Sequence, residues 1–110
     1  MPESKDDMAK AANLFEQELG WTAGNLWKYL GARSQVTEKQ VITDAGQILT
    51  PSFLKQPEKN YWMYIQLALG WLAREDKIIL YGEWEKPEEW QVSLSAKEQE
   101  IFNNLKSEEK

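Results

Sequence analysis

The fourteen residues from Asn60 to Ala73, NYWMYIQLALGWLA, contain no charged side chain. A chain carrying such a run has few ways to fold in water. The run is too short to cross a bilayer, which takes about 20 apolar residues. It must therefore lie against other elements, as a buried or interface helix. Pro57 at a first helical position and Glu58 in the first turn predict where this helix starts. Asp76 and Lys77 predict its end.

Stepping 100° per residue, with Tyr61 at the centre of the buried face, groups Tyr64, Ile65, Ala68 and Leu72 with it, and Leu69 and Trp71 at the margins. The outer face then holds Met63, Gln66, Leu67, Gly70, Ala73 and Arg74, with Trp62 at its edge. A helix that reads the major groove needs Arg, Lys, Asn or Gln on that face. Only Gln66 and Arg74 qualify, with Lys59 and Asn60 at the helix start. Trp62, Met63, Leu67 and Gly70 suit an apolar contact. Three uses stay open: cover by the flanking helices or the 47–55 connection, cover by a protein partner or a second copy, or contact with DNA. The candidate partner- or DNA-facing surface is Lys59, Trp62, Met63, Gln66, Leu67, Gly70 and Arg74.

Upstream, residues 1–7 are polar and charged and read as a disordered N-terminus. Asp6 or Asp7 can cap a helix starting at Met8, whose stripe is Met8, Ala11, Ala12, Phe15 and Leu19. Gly20 is a stop signal. A second stripe, Ala23, Leu26, Trp27 and Leu30, predicts a helix over 22–32, and the pattern leaves open whether the two are one. Gly24 inside it costs about 1 kcal/mol against Ala, which predicts a second backbone close by or a later helix start. Val36 suggests a short strand. Thr37 and Gln40 match a capping box for a helix over 38–45 that buries Val41 and Ile42 and ends at Gly46. Residues 47–55, with Ile48, Leu49, Phe53 and Leu54 around Pro51, read as a partly extended connection touching the core.

Downstream, residues 78–84 and 90–94 read as two strands joined by a turn, with Ile78, Leu80 and Trp84 facing the same core as Trp90, Val92 and Leu94. Ser95 and Glu98 form a second capping box, opening a helix that buries Ile101, Phe102 and Leu105. Residues 107–110 are a charged tail, so one domain spans 8–106. The fold class is α+β and mostly helical: a winged helix-turn-helix, with a three-helix core and a β-hairpin wing, plus extra N- and C-terminal helices.

Two stretches carry a family resemblance. Leu69 to Ile78, LGWLAREDKI, resembles the LGWLAREGKI-type signature of a small prokaryotic family of winged helix-turn-helix domains. Ala23-Gly24-Asn25-Leu26-Trp27 resembles that family's AGxxW motif, about 45 residues earlier. The resemblance covers roughly Trp21 to Leu94 and implies a winged helix with Gly70 and Trp71 as fold determinants. The stretch from Gly46 to Asn60 looks longer than the family's turn, and both ends carry added helices. The resemblance transfers no activity.

Composition narrows the chemistry. The chain has no Cys and no His, which removes thiolate chemistry, the usual general base and the commonest metal ligand. No nucleophile, base and orienting group converge on a named constellation, so neither an enzyme nor a cofactor is expected. The net charge of −5 is spread as −3 over residues 1–20, +1 over 21–54, +1 over 55–77, −3 over 78–94 and −1 over 95–110. No segment offers the basic footprint that phosphate contacts need. The wing carries Glu83, Glu85, Glu88 and Glu89 against Lys86, and its spacing matches no calcium loop. Trp84 and Trp90 flank it as an aromatic pair, so Trp84, Lys86 and Trp90 are the wing candidates. The N-terminus has no apolar segment of the signal-peptide kind, which points to the cytoplasm and no membrane partner.

The function expected from these features is a non-catalytic winged-helix module working by protein–protein contact, in a transcription-related or other regulatory assembly. The alternatives are a DNA-binding transcriptional regulator using the 57–76 helix, with a positive patch from Lys28, Arg33, Lys39, Lys55, Lys59 and Arg74, and a structural subunit of a larger complex.

Overall fold

A computed structural model describes the chain over residues 5–86 and 89–108. Its first element is one continuous helix, α1 (Lys5–Arg33). Lys5, the first described residue, is already helical, so Asp6 and Asp7 lie inside the helix instead of capping a start at Met8. The side chains of Met8, Ala11 and Ala12 fall outside the described ones. Gly20 does not stop the helix. A glycine within a helix costs only about 1 kcal/mol, and Leu19, Ala23, Leu26 and Leu30 bury on one core along the same helix. Gly24 faces no second backbone: nothing lies within 4 Å of the place its Cβ would take. Ser34, at φ 67°, ends α1.

A short strand, β1 (Val36–Thr37), follows. Thr37 Oγ1 then accepts the Gln40 N–H at 3.2 Å and opens α2 (Glu38–Thr43). The other half of the capping box is replaced, because the Gln40 amide donates forward to Asp44 at 2.9 Å. Val41 is buried and Ile42 half-buried. Gly46 sits in a 3-10 turn (Ala45–Gln47), and no glycine of the described residues has positive φ, so it is not a left-handed cap. The 47–55 connection is not extended. Pro51, with φ pre-set for a first helical turn, starts a short helix, α3 (Pro51–Leu54). Ile48, Leu49 and Phe53 reach the core from it, and Phe53 stacks on Tyr64 with ring centroids 4.2 Å apart.

Pro57 precedes a 3-10 turn (Glu58–Asn60), and the central helix itself, α4, runs Tyr61–Arg74. Tyr61 anchors its start by donating its hydroxyl to the Leu54 carbonyl at 2.7 Å. Its end is a Schellman cap: Asp76 N–H reaches Ala73 O at 3.1 Å and Lys77 N–H reaches Leu72 O at 2.9 Å. Asp76 takes the left-handed position, at φ 57°.

The chain then forms β2 (Ile78–Tyr81) and β3 (Gln91–Leu94), and β3 is the centre of an antiparallel sheet in the order β1-β3-β2. Ile78 pairs with Leu94 and Leu80 with Val92, while Val36 pairs with Val92 from the other side. Ile78, Val92 and Leu94 are buried and Leu80 packs beside them. Trp84 does not join this face. The ladder ends at Tyr81, so Trp84 projects from the wing at 86% exposure, edge-on to Trp90 at 5.4 Å. Gly82 leaves room for the Trp90 ring, which a Cβ there would strike, and Trp90 Nε1 donates to the Glu83 carbonyl at 2.6 Å. Pro87 and Glu88 lie outside the described residues.

The last helix, α5 (Ala96–Glu108), extends into residues 107 and 108 of the expected tail. Ser95 Oγ accepts the Glu98 N–H at 3.4 Å, but the Glu98 carboxylate turns away to accept Trp27 Nε1 at 3.1 Å. Only Phe102 of the expected stripe packs inward, against Trp27 and Gly31. Ile101 and Leu105 stay exposed, and no described element covers them.

The α1–α2 corner is tied by a polar cluster. Tyr29 donates to Asp44 Oδ2 at 2.6 Å, and the Arg33 guanidinium lies 4.0 Å over the Tyr29 ring. Burial, then the Asp44 carboxylate, pushes the Tyr29 hydroxyl from 10.0 up to about 12. The Tyr29 and Gln40 hydrogen bonds hold Asp44 below the usual carboxylate range. The lowered Asp44 contributes stability that is present above its unfolded pKa of about 4 and is lost as pH falls through the folded value. The raised Tyr29 contributes stability that is present below 10.0 and is lost as pH rises through about 12. Denaturant midpoints measured across this range should show a plateau between two falling limbs. Tyr29→Phe should flatten both limbs relative to the parent chain.

Candidate functional site

At 100° per residue, Trp62, Ala73, Gln66, Gly70, Met63, Arg74, Leu67 and Trp71 occupy in that order the half-turn of α4 opposite Tyr64, Ile65, Ala68, Leu69 and Leu72, the buried side. Leu69 is thus core and not marginal, Trp71 belongs to the outer arc, and Ala73 packs against the core from the edge. Trp62 is 55% exposed, Met63 45% and Leu67 42%. Cover of this face from within the chain is therefore not realised among the described residues. The 47–55 connection packs on the opposite side of α4, through Phe53 and Tyr64.

α1 runs beside α4 in the same direction. Phe15 meets Tyr64 at 6.4 Å, and further along both helices Trp71 lies 3.8 Å from the place of a Gly20 Cβ. Two hollows result, sharing Glu16 and Trp71 in their walls. One, of about 630 Å³, is lined by Glu16, Gln66, Leu67, Gly70, Trp71, Arg74 and Glu75. The other, of about 460 Å³, is lined by Leu14, Glu16, Gln17, Gly20, Trp21 and Trp71. They adjoin at Glu16 and Trp71, and this α1–α4 furrow is lined by apolar and charged side chains together.

Of the sequence candidates, Gln66, Leu67, Gly70 and Arg74 line this furrow. Trp62 and Met63 flank it on the same arc, and Lys59 is exposed in the 3-10 turn before α4. Trp84, Lys86 and Trp90 belong to the wing and line no part of it. Leu14, Glu16 and Trp21 on α1 were not among the candidates, although Leu14 and Trp21, seven residues apart, share a helix face. The Trp71 ring reaches to 3.8 Å from the place of a Gly20 Cβ, whereas nothing lies within 4 Å of the Gly70 Cβ position.

The six basic residues of the DNA reading fall on separate elements: Lys28 and Arg33 on α1, Lys39 on α2, Lys55 after α3, Lys59 in the 3-10 turn and Arg74 on α4. Arg33 is engaged with Tyr29 and Gln47, and Arg74 shares its hollow with Glu16 and Glu75. Glu83, Glu85 and Glu89 are exposed on the wing. Among the described residues no group of three or more carboxylates is placed to hold a metal, and no helix is long and apolar enough to cross a membrane.

A long first helix, a short strand, three further helices and a hairpin whose returning strand pairs with that first strand define a winged helix-turn-helix domain. The family described as "Winged helix-turn-helix domain (DUF2582)" matches residues 8–94, and the chain belongs to it. No curated protein and no solved structure shows a significant match. At family level the fold is that of a DNA-binding or regulatory module, a class that is generally non-enzymatic.

Proposed function

We propose that this chain is a non-catalytic winged-helix module that works by protein–protein contact within a regulatory assembly of the cytoplasm. The observation that carries this reading is the outer arc of α4. In a DNA-reading helix that arc meets base edges. Here it presents Trp62, Met63 and Leu67 to solvent beside an unfilled Gly70. The wing, which in a DNA-binding domain lies against phosphate, carries Glu83, Glu85 and Glu89 and repels it. A structural subunit would use the same face and differs only in the permanence of its contact.

The family's fold makes DNA binding the competing reading. Fluorescence anisotropy with mixed-sequence duplex DNA at about 150 mM salt separates the two. The expected result is no saturation below about 10 µM protein, no tighter than ordinary non-specific binding. Sub-micromolar binding that is lost in Arg74→Ala would overturn the contact reading.

A further inference from the structure

We propose that the occupant of the α1–α4 furrow is a second copy of this chain, packed across a two-fold axis with the two α4 helices antiparallel and crossing at Gly70. This rests on the contact reading above and names its partner.

Area is the first argument. Leu14, Trp21, Trp62, Met63, Leu67 and Trp71 are each between 38% and 61% exposed, and large side chains bury roughly 150–250 Å². The six therefore leave on the order of 600 Å² of apolar surface along α1 and the outer arc of α4, an amount comparable to the largest patch of an ordinary monomer. A stable interface takes about 800 Å² from each partner, which this patch and the charged side chains beside it supply.

Charge is the second argument. The lining carries both signs, Arg74 against Glu16 and Glu75. An acidic or a basic partner would meet the wrong sign at one of these, whereas the face is complementary to itself turned over. In an antiparallel crossing at Gly70, position 74 of one α4 lies over position 66 of the other. Glu16 borders the Gln66 hollow from α1, since α1 and α4 run in the same direction. Arg74 of each copy thus faces Glu16 of the other, twice by symmetry.

Shape is the third. Gly70 is central in the exposed arc, and a Cβ at its position would meet no described atom of another element within 4 Å. A helix glycine without a neighbour is unfavourable against Ala, and a second helix passing at close range accounts for it. Trp71 and Leu67 then flank the crossing point.

Sedimentation velocity of the full chain tests this. The expected mass is twice 12.8 kDa at concentrations near 100 µM, reversing on dilution. Leu67→Glu and Gly70→Glu should each leave a monomer with unchanged far-UV circular dichroism, because both positions are exposed. Arg74→Glu alone and Glu16→Arg alone should weaken association by about tenfold, and the double variant should regain most of it, as expected for coupled charge pairs. A parent chain that stays monomeric near 100 µM overturns the second copy as occupant. It leaves the contact reading standing if DNA is still not bound. A dimer unmoved by Leu67→Glu and Gly70→Glu also overturns the proposal, because association would then run through another face, such as Ile101 and Leu105 of α5.

Discussion

Ile65→Ala should lower the stability by about 3 kcal/mol, within the range for truncating a fully buried aliphatic side chain. Leu67→Ala, two residues on, should change it by less than about 0.5 kcal/mol. Ile65 is 0% exposed and belongs to the core that also holds Leu26, Leu30, Ile48 and Val92. Its removal gives up the transfer free energy of three carbons and leaves a cavity that surrounding helices close only in part. Leu67 already faces water over 42% of its surface. At roughly 4–8 °C per kcal/mol for a chain of this size, the first variant should melt at least about 12 °C below the parent. The second should melt with the parent when measured at low protein concentration. Similar losses at both positions would mean that the outer arc of α4 is covered after all.

Gly31→Ala should destabilise the chain by about 1–3 kcal/mol, the usual cost of overpacking, even though alanine is the better helix former. The methyl group would sit 2.5 Å from Cγ and Cδ2 of Phe102, well inside contact distance. Those atoms are the root of a ring wedged edge-on against Trp27 at 5.6 Å, so they cannot swing aside as the tip of a lysine would. The same spot receives the Gln99 amide on the Gly31 carbonyl at 3.1 Å and lies beside the Trp27–Glu98 hydrogen bond. Displacing Phe102 therefore loosens α5 as a unit. Thermal melts should show the loss, and limited proteolysis should cut within α5 faster than in the parent. In a double-mutant cycle, Gly31→Ala added to Phe102→Ala should cost less than Gly31→Ala added to the parent, because the clash is gone. If the two losses simply add, the clash is not the cause.

Much of this architecture could be read in the sequence where local chemistry and packing agree. The Thr37 cap, the short strand at Val36 and the burial of Tyr64, Ile65, Ala68 and Leu72 all follow from spacing and side-chain type. The misreadings have a common physical origin: local signals overruled by tertiary packing. Gly20 and Gly24 weaken a helix locally, yet α1 passes through both because Leu19, Ala23, Leu26 and Leu30 share one core. Breaking the helix at Gly20 in turn hid the face that Leu14 and Trp21 have in common. Alternation placed Trp84 in the core, but alternation counts only while a strand is paired, and the ladder stops at Tyr81. For Ile101 and Leu105, periodicity marks an apolar face without saying what covers it.

The seat of Trp71 against Gly20 has a thermodynamic consequence. α1 and α4 bury one side in the core and raise the furrow on the other, so the furrow exists only in the folded chain. Whatever fills it shifts the unfolding equilibrium by mass action, by about 2.7 kcal/mol when its concentration is a hundred times its dissociation constant. The melting temperature of this small domain is then not a constant of the molecule. It becomes a gauge of how full the furrow is, rising with concentration if the chain fills its own and unchanged by dilution if nothing does.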